Sequence, residues 1–385
     1  MITLLHASSG TFGGNELLMP VLLLGGGLAL LLVSAHFLVD FAKWAAQKYG
    51  VSQLTIGLTV IAFGTSTPEL ALNVVSAASG ESGAKLAFGN VVGSNIANIG
   101  LVLAVACLVR PVLAARNIRY VYYPLLVGTE ILLLVLATFT REITWVDGVI
   151  LLAALPIAVY ILHAIASRLD SDEAEVEGAP STRHGLTIAA LLILSLFMLL
   201  AGAKLAEVGA VKLAHLAGLT EAAIGLTVVA IATSLPESFT AIIAAKRGQS
   251  DLALGTVLGS NVFNILSVLA ITSIVAGSVP IPESLGWTSL GGMMFFTLAI
   301  APIYYKNQRN KRKPPELQSK GTGLGRLWGG IMLACWIGLM VFFVTTGTNT
   351  KAQTQDQAIK SASRLQPMAP AEMGQTGLMT ELGQS

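Results

Sequence analysis

Residues 56–69 read IGLTVIAFGTSTPE, and residues 224–237 read IGLTVVAIATSLPE. Ten of the fourteen positions are identical. Each copy sets a glutamate directly after a proline, Glu69 after Pro68 and Glu237 after Pro236, inside a long apolar stretch. A charged side chain at membrane depth costs about 3 kcal/mol or more, so such a residue marks a function by default. Two of them in matched halves of one chain point to a cation site where the halves meet.

The composition identifies the solvent. Apolar residues make up 54% of the chain and charged residues 11%, where an ordinary globular chain carries about 25% charged residues. Several stretches are long and apolar enough to cross a bilayer. Ten spans are expected, near 17–41, 53–79, 86–108, 120–139, 145–167, 186–210, 221–245, 252–276, 285–305 and 325–346. The expected fold is an all-α polytopic membrane protein of ten transmembrane helices. Residues 1–167 form a first five-helix unit, 168–185 an acidic linker and 186–346 a second five-helix unit. Residues 347–385, rich in Gln, Met and Ser, are expected to be disordered.

Lysine and arginine set the orientation. With the N-terminus outside, the inner loops hold sixteen of them and the outer segments six. Both termini are therefore expected to be extracytoplasmic, with the linker in the cytoplasm. The two Pro-Glu motifs each fall on the second span of a five-span unit. Five is odd, so the second unit enters the bilayer from the opposite side. The halves are then inverted repeats about an axis in the membrane plane.

Proline cannot donate a backbone hydrogen bond and clashes with the carbonyl four residues back. Pro68 is thus expected to free the carbonyl of Gly64, and Pro236 that of Ala232. The hydroxyls of Thr65, Ser66, Thr233 and Ser234 stand beside them. A single TSxP reads most simply as a proline kink repaired by its own hydroxyls; the glutamate that follows it twice reverses that reading. Hydroxyls, carbonyls and two carboxylates make a hard-oxygen set suited to sodium or calcium rather than zinc or copper.

A second motif follows each Pro-Glu segment. Residues 89–99 read GNVVGSNIANI and residues 255–265 read GTVLGSNVFNI, with seven of eleven positions identical. Ser94 and Asn98 are four apart and share a helix face, as do Ser260 and Asn264. Asn98 and Asn264 read as ligands, with an interhelical hydrogen bond as the alternative. Asn95 and Asn261 point to a neighbouring face and read as structural. Gly89, Gly93, Gly255 and Gly259 are small residues that let a helix approach closely, and Gly25, Gly26, Gly27 and Gly202 interrupt the first and sixth spans.

Together these paired motifs resemble the alpha repeats of the cation/calcium exchanger superfamily, most closely its prokaryotic sodium/calcium exchangers. The resemblance covers residues 17–346. It implies that the second, third, seventh and eighth helices surround the ions while the first and sixth slide across them. It also implies a ligand set of Glu69, Glu237, Ser66, Ser234, Ser94, Ser260, Asn98 and Asn264, with backbone oxygens of Ala62, Thr65, Ala230 and Thr233. Some members carry Asp where this chain has Asn264, so here only two acids serve the site. Two carboxylates match one calcium ion in charge; three sodium ions would leave the site at plus one.

The expected activity is secondary antiport of sodium for calcium across the cytoplasmic (inner) membrane, by alternating access at one midplane site. Proton- or potassium-dependent cation exchange is the alternative, and a cation channel a more distant one. No enzyme chemistry or cofactor is expected: no GxSxG, HExxH or phosphate-cradling loop occurs, and Ser94 and Ser260 have no evident His partner. The expected partners are the lipid bilayer and the two ions, with no nucleic acid and no obligatory protein. His36 reads as an interhelical hydrogen bonder. Lys204 and Glu207, three apart, read as a pair, and Cys107 and Cys335 as small core residues rather than a disulfide.

Overall fold

The computed structural model describes residues 14–49, 56–170, 185–216, 230–282, 286–303 and 322–343. The expected tail and most of the acidic linker lie outside these residues, as do His184 and the side chains of His163 and His215. Residues Met1–Met340 form one compact unit, and the second, Val341–Ser385, is described only at 341–343.

The described chain is almost entirely helical. Helix α1 (Gly14–Tyr49) is followed by a π turn at Gly57–Ile61, then α2 (Ala62–Thr65) and α3 (Thr67–Ala78). Helix α4 begins as Glu81–Ala97, passes through a π turn at Asn98–Leu103 and ends as Ala104–Val109. Strand β1 (Val112–Ala114), helix α5 (Tyr123–Thr140), strand β2 (Glu142–Thr144) and helix α6 (Trp145–Asp170) complete the first half. The second half holds α7 (Gly185–Leu216), α8 (Ala230–Thr233) and α9 (Leu235–Lys246). Helix α10 starts as Ser250–Phe263, has a π turn at Asn264–Leu269 and ends as Ala270–Ala276. Strand β3 (Ser278–Pro280), helix α11 (Gly286–Leu298), strand β4 (Thr322–Leu324) and helix α12 (Arg326–Phe343) follow.

Seven helical stretches among the described residues are long and apolar enough to cross a bilayer. The other three expected spans do not appear as continuous helices of that length. The second is split at Ser66 and the seventh at Ser234, each just before the proline of the motif. The ninth is described as a thirteen-residue helix, Gly286–Leu298, and residues 304–321 lie outside the described set.

Burial sorts the helices by role. In α4 and α10 the most apolar windows are 72% and 83% buried, against 22% in α1 and 11% in α12. The two helices carrying the GSN motifs are therefore the centre. The others show apolar faces outward, with Phe139, Leu186 and Leu327 almost fully exposed. Apolar exposure on this scale is what a lipid-facing surface looks like.

Two short antiparallel ribbons tie the halves together. β1 pairs with β4, with Val112 opposite Leu324, and β2 pairs with β3, with Ile143 opposite Val279. β1 precedes α5 and β2 follows it, so the ribbons lie at opposite ends of that helix. The motif repeat equates α4 with α10, and hence β1 with β3 and β2 with β4. Exchanging the motif copies turns one ribbon into the other.

Helices α1 and α7 meet backbone to backbone. A Cβ on Gly27 would collide with the Ala206 nitrogen and lie 2.7 Å from the Gly202 carbonyl oxygen. A Cβ on Gly202 would reach the Leu31 nitrogen at 2.9 Å. Both helices run unbroken through these glycines, which serve close contact and do not interrupt the helix. Near its C-terminal end, α1 is tied to the segment after α9. Arg247 pairs with Asp40 and donates to the His36 carbonyl at 3.1 Å. The His36 ring itself contacts the Leu32 carbonyl of its own helix at 2.8 Å, and no interhelical bond of the ring occurs among the described residues.

Candidate cation site

The Pro-Glu motifs fold into two short helices meeting at a serine. Ser66 sits between α2 and α3 with φ −83° and ψ 3°, and Ser234 between α8 and α9 with φ −88° and ψ 3°. This bridge-region conformation ends one helix and starts the next. Pro68 and Pro236 then occupy the first turn of the new helix, where a missing N–H costs nothing. Glu69 and Glu237 follow in that first turn. The break replaces the expected simple kink. At the α2 cap the Ser66 N–H donates to the Ala62 carbonyl at 3.0 Å. Ala62 also accepts the Thr65 hydroxyl at 3.3 Å. In the second copy the Ser234 N–H goes to the Ile231 carbonyl at 3.2 Å.

Both carboxyls are buried, each residue being 1% exposed. They act on each other electrostatically across the two halves. The Ser66 hydroxyl lies 3.5 Å from Glu237 Oε1, and Thr65 and Ser260 also face the Glu237 carboxyl. Segments 62–66, 237 and 260 thus converge.

Hydrogen bonding is incomplete above all in the motif residues. Glu69 Oε1 and Oε2, Glu237 Oε2, Ser234 Oγ, Ser260 Oγ, Asn98 Oδ1 and Asn264 Oδ1 are buried oxygens with no hydrogen-bond partner among the described residues. Each unmade bond of this kind costs about 1–3 kcal/mol, so a cluster of them calls for a ligand. All seven are oxygens and all belong to the residues singled out above. Oxygen-only donors with two formal charges suit sodium or calcium. No group of three or more His, Cys, Asp or Glu side chains that could hold a metal ion occurs among the described residues.

The asparagines form a reciprocal network between α4 and α10. Asn95 Nδ2 donates to the Asn261 carbonyl at 3.2 Å, and Asn261 Nδ2 to the Asn95 carbonyl at 3.2 Å. Asn98 Nδ2 donates to Asn261 Oδ1 at 2.9 Å, and Asn264 Nδ2 to Asn95 Oδ1 at 3.0 Å. A π turn begins at Asn98 and another at Asn264. Such turns inside α-helices mark functional positions. The interhelical hydrogen bond expected as the alternative is made by each amide nitrogen, and each amide oxygen has no partner among the described residues.

Of the remaining sequence candidates, Ser94 is buried on α4, Thr233 is half-buried at the end of α8, and Ala230 opens α8. Several buried polar residues escaped the sequence reading. Asn73 donates to the Glu69 carbonyl at 2.7 Å, one turn past the carboxylate, and Asn90 donates to Asn73 at 3.3 Å. Glu130, fully buried on α5, accepts the Thr297 hydroxyl of α11 at 2.6 Å. An acid inside a span is itself a sequence signal, but Glu130 has no repeated counterpart to draw attention to it. Lys204 and Glu207 pair at 2.8 Å on the surface, and Cys107 and Cys335 are free.

A small open cleft lies beside α2 and α10. Ser66, Thr67, Phe63, Phe263 and Ser267 are among the residues lining it. The Phe63 and Phe263 rings meet edge to face at 5.6 Å across its wall. Ser66 belongs both to the cleft and to the carboxylate cluster.

The sequence pattern of the family described as sodium/calcium exchanger protein matches residues 19–164 and 187–345. The chain is 34% identical over 318 residues to a candidate antiporter, CaxA, of Alkalimonas amylolytica, covering 81% of this chain and 94% of that protein. It is 31% identical over 290 residues to the sodium/calcium exchanger MaX1 of Methanosarcina acetivorans, covering 64% and 81%. Its fold is similar to that of the sodium-calcium exchanger NCX_Mj soaked with sodium and strontium, with TM-score 0.68 and 28% identity over 84% of this chain and 98% of that one.

Proposed function

The chain belongs to the sodium/calcium exchanger family of membrane cation antiporters, and we propose that it exchanges sodium for calcium by alternating access at one site between its halves. The observation that carries this is that seven buried oxygens of the repeated motifs, three of them on Glu69 and Glu237, have no hydrogen-bond partner among the described residues. Sodium and calcium differ little in size and twofold in charge, so the two carboxylates carry the discrimination. The bound ions are held by Glu69, Glu237, Ser66, Ser94, Ser234, Ser260, Asn98 and Asn264, with backbone oxygens of Ala62, Thr65, Ala230 and Thr233.

Coupling follows from the cost of buried charge. Two bare carboxylates at membrane depth are expensive. A site neutralised by one calcium ion, or filled by sodium, passes the apolar barrier far more cheaply. Exchange is thereby favoured over leak with no second pathway. The architecture is ten spans in two inverted five-helix units, 1–167 and 186–346, joined by the linker 168–185, in the cytoplasmic membrane with both termini outside. Three features support it: the exchange of the two ribbons under the motif repeat, their place at opposite ends of α5, and the reciprocal asparagine bonds. The contact of α1 with α7 through Gly27 and Gly202 suits a pair of helices that move together across the site.

The test is calcium-45 uptake into proteoliposomes holding the purified chain, under imposed sodium, potassium and proton gradients in turn. Uptake driven by an opposing sodium gradient, and lost in Glu69→Gln and Glu237→Gln, is the expected result. Uptake driven by protons alone, or dependent on potassium, replaces sodium as the coupling ion. Calcium flux with no counter-ion requirement sinks antiport and makes the protein a channel.

A further inference from the structure

We infer that Asn95 and Asn261 are positioning residues: each locks the side-chain amide of the ligand asparagine on the opposite helix so that its oxygen, not its nitrogen, is presented to the cation. The inference rests on the ligand assignment above and deepens it. An asparagine amide has a donor end and an acceptor end of nearly the same shape, so its orientation must be read from its partners. Here the partners leave one solution. A backbone carbonyl can only accept. Asn95 Nδ2 lies 3.2 Å from the Asn261 carbonyl, and Asn261 Nδ2 lies 3.2 Å from the Asn95 carbonyl. Asn95 Nδ2 also faces the Met293 sulfur at 3.7 Å, again an acceptor. The nitrogen ends of Asn95 and Asn261 are therefore fixed.

Their oxygen ends are fixed in turn, and these can only accept. Asn261 Oδ1 takes Asn98 Nδ2 at 2.9 Å, and Asn95 Oδ1 takes Asn264 Nδ2 at 3.0 Å. Turning Asn98 over would set two amide oxygens at hydrogen-bond distance with no proton between them. It would also offer N–H donors to a cation. The remaining atoms, Asn98 Oδ1 and Asn264 Oδ1, are buried and have no partner among the described residues. Two carbonyls thus dictate four amide orientations, and the same pattern appears in both halves. An unlocked Asn98 has no acceptor to hold its N–H groups away from the ion, and its oxygen no longer supplies a fixed contact.

A double-mutant cycle tests this, because residues acting through one another do not add. Calcium binding to the purified full-length protein is measured by isothermal titration, with thermal unfolding followed in parallel. In the native background Asn98→Ala is expected to weaken calcium binding about tenfold, the loss of one charge-assisted contact. In an Asn261→Ala background the lock is absent, and Asn98→Ala is expected to add less than twofold. In an Asn261→Asp background an oxygen acceptor remains in place, and Asn98→Ala again costs about tenfold. A purely structural Asn261 makes the cost of Asn98→Ala equal in all three backgrounds, and that result overturns the inference. No effect of Asn98→Ala in the native background overturns the ligand assignment itself. If Asn261→Ala does not fold, the Asn95→Ser and Asn264→Ala cycle puts the mirror-image lock to the same question, with equal costs again overturning it.

Discussion

Ser66 and Glu237, 171 residues apart in sequence, meet at 3.5 Å, hydroxyl to carboxylate, across the seam between the two motif copies. The serine needs its backbone break to be there, and the glutamate needs its own. At this distance the bond is weak as it stands, which leaves the Ser66 oxygen free to turn a lone pair toward an ion while its proton stays near Glu237. Ser66→Ala is expected to weaken apparent calcium affinity about tenfold, corresponding to the loss of a hydrogen bond to a charged group. Calcium-dependent sodium efflux, measured against external calcium, shows it as a raised half-saturation concentration with little change at saturation.

Asn264→Asp separates charge from geometry. A divalent ion gains twice what a monovalent ion gains from an added negative charge. The lost hydrogen bond to Asn95 weakens both ions alike. The calcium-to-sodium preference is therefore expected to shift about tenfold or more, toward calcium where one sodium ion competes and toward sodium where three do, even if absolute affinities fall. Sodium competition against bound calcium reads this ratio directly; an unshifted curve removes Asn264 from the ligand set.

Gly27→Val drives a branched side chain into backbone, where nothing can yield. The obstacles are the Ala206 nitrogen and the Gly202 carbonyl of α7. Overpacking of this kind costs about 1–3 kcal/mol. Transport is expected to fall sharply with a lowered unfolding temperature, whereas Gly26→Ala, where a Cβ meets nothing within 4 Å, leaves both unchanged. Thermal scanning of the two variants side by side is the check.

Glu130 and Thr297 form a polar contact separate from the carboxylate pair of the motifs. Glu130→Gln keeps an acceptor oxygen for the Thr297 hydroxyl and removes an acid from the membrane interior. It is expected to leave calcium transport and thermal stability near their native values. Thr297→Val deprives Glu130 Oε1 of its donor and is expected to destabilise by about 1–3 kcal/mol. Loss of transport in Glu130→Gln with stability intact places Glu130 in the transport cycle instead.

The fold was readable where the sequence repeats itself. Glu69, Glu237, Asn98 and Asn264 stand out because each copy of a motif vouches for the other, and apolar length alone locates most of the helices. What stayed hidden depends on contacts between distant segments. A proline says that a helix is disturbed; whether it bends or stops at Ser66 is decided by the caps on both sides. Asn95 and Asn261 were read as structural because they sit one position off the ligand face. Only the crossing of α4 with α10 shows that their amides hold those of Asn98 and Asn264. Glu130 belongs to no repeated motif, and its partner Thr297 lies on another helix. His36 was assigned a neighbour when its own helix supplied one at Leu32.

The asparagine ring is unchanged when its two halves trade places: Asn95 becomes Asn261, Asn98 becomes Asn264, and every bond maps onto another bond of the same kind. The ring by itself has no front or back, whereas the carboxylates do: Ser66 reaches Glu237, and Ser234 Oγ has no partner among the described residues. In the proposed site the asparagines then meet an ion in the same way from either side of the membrane. Direction is then left to the surrounding helices and to the gradients, and the chemistry of recognition need not be rebuilt at each turnover.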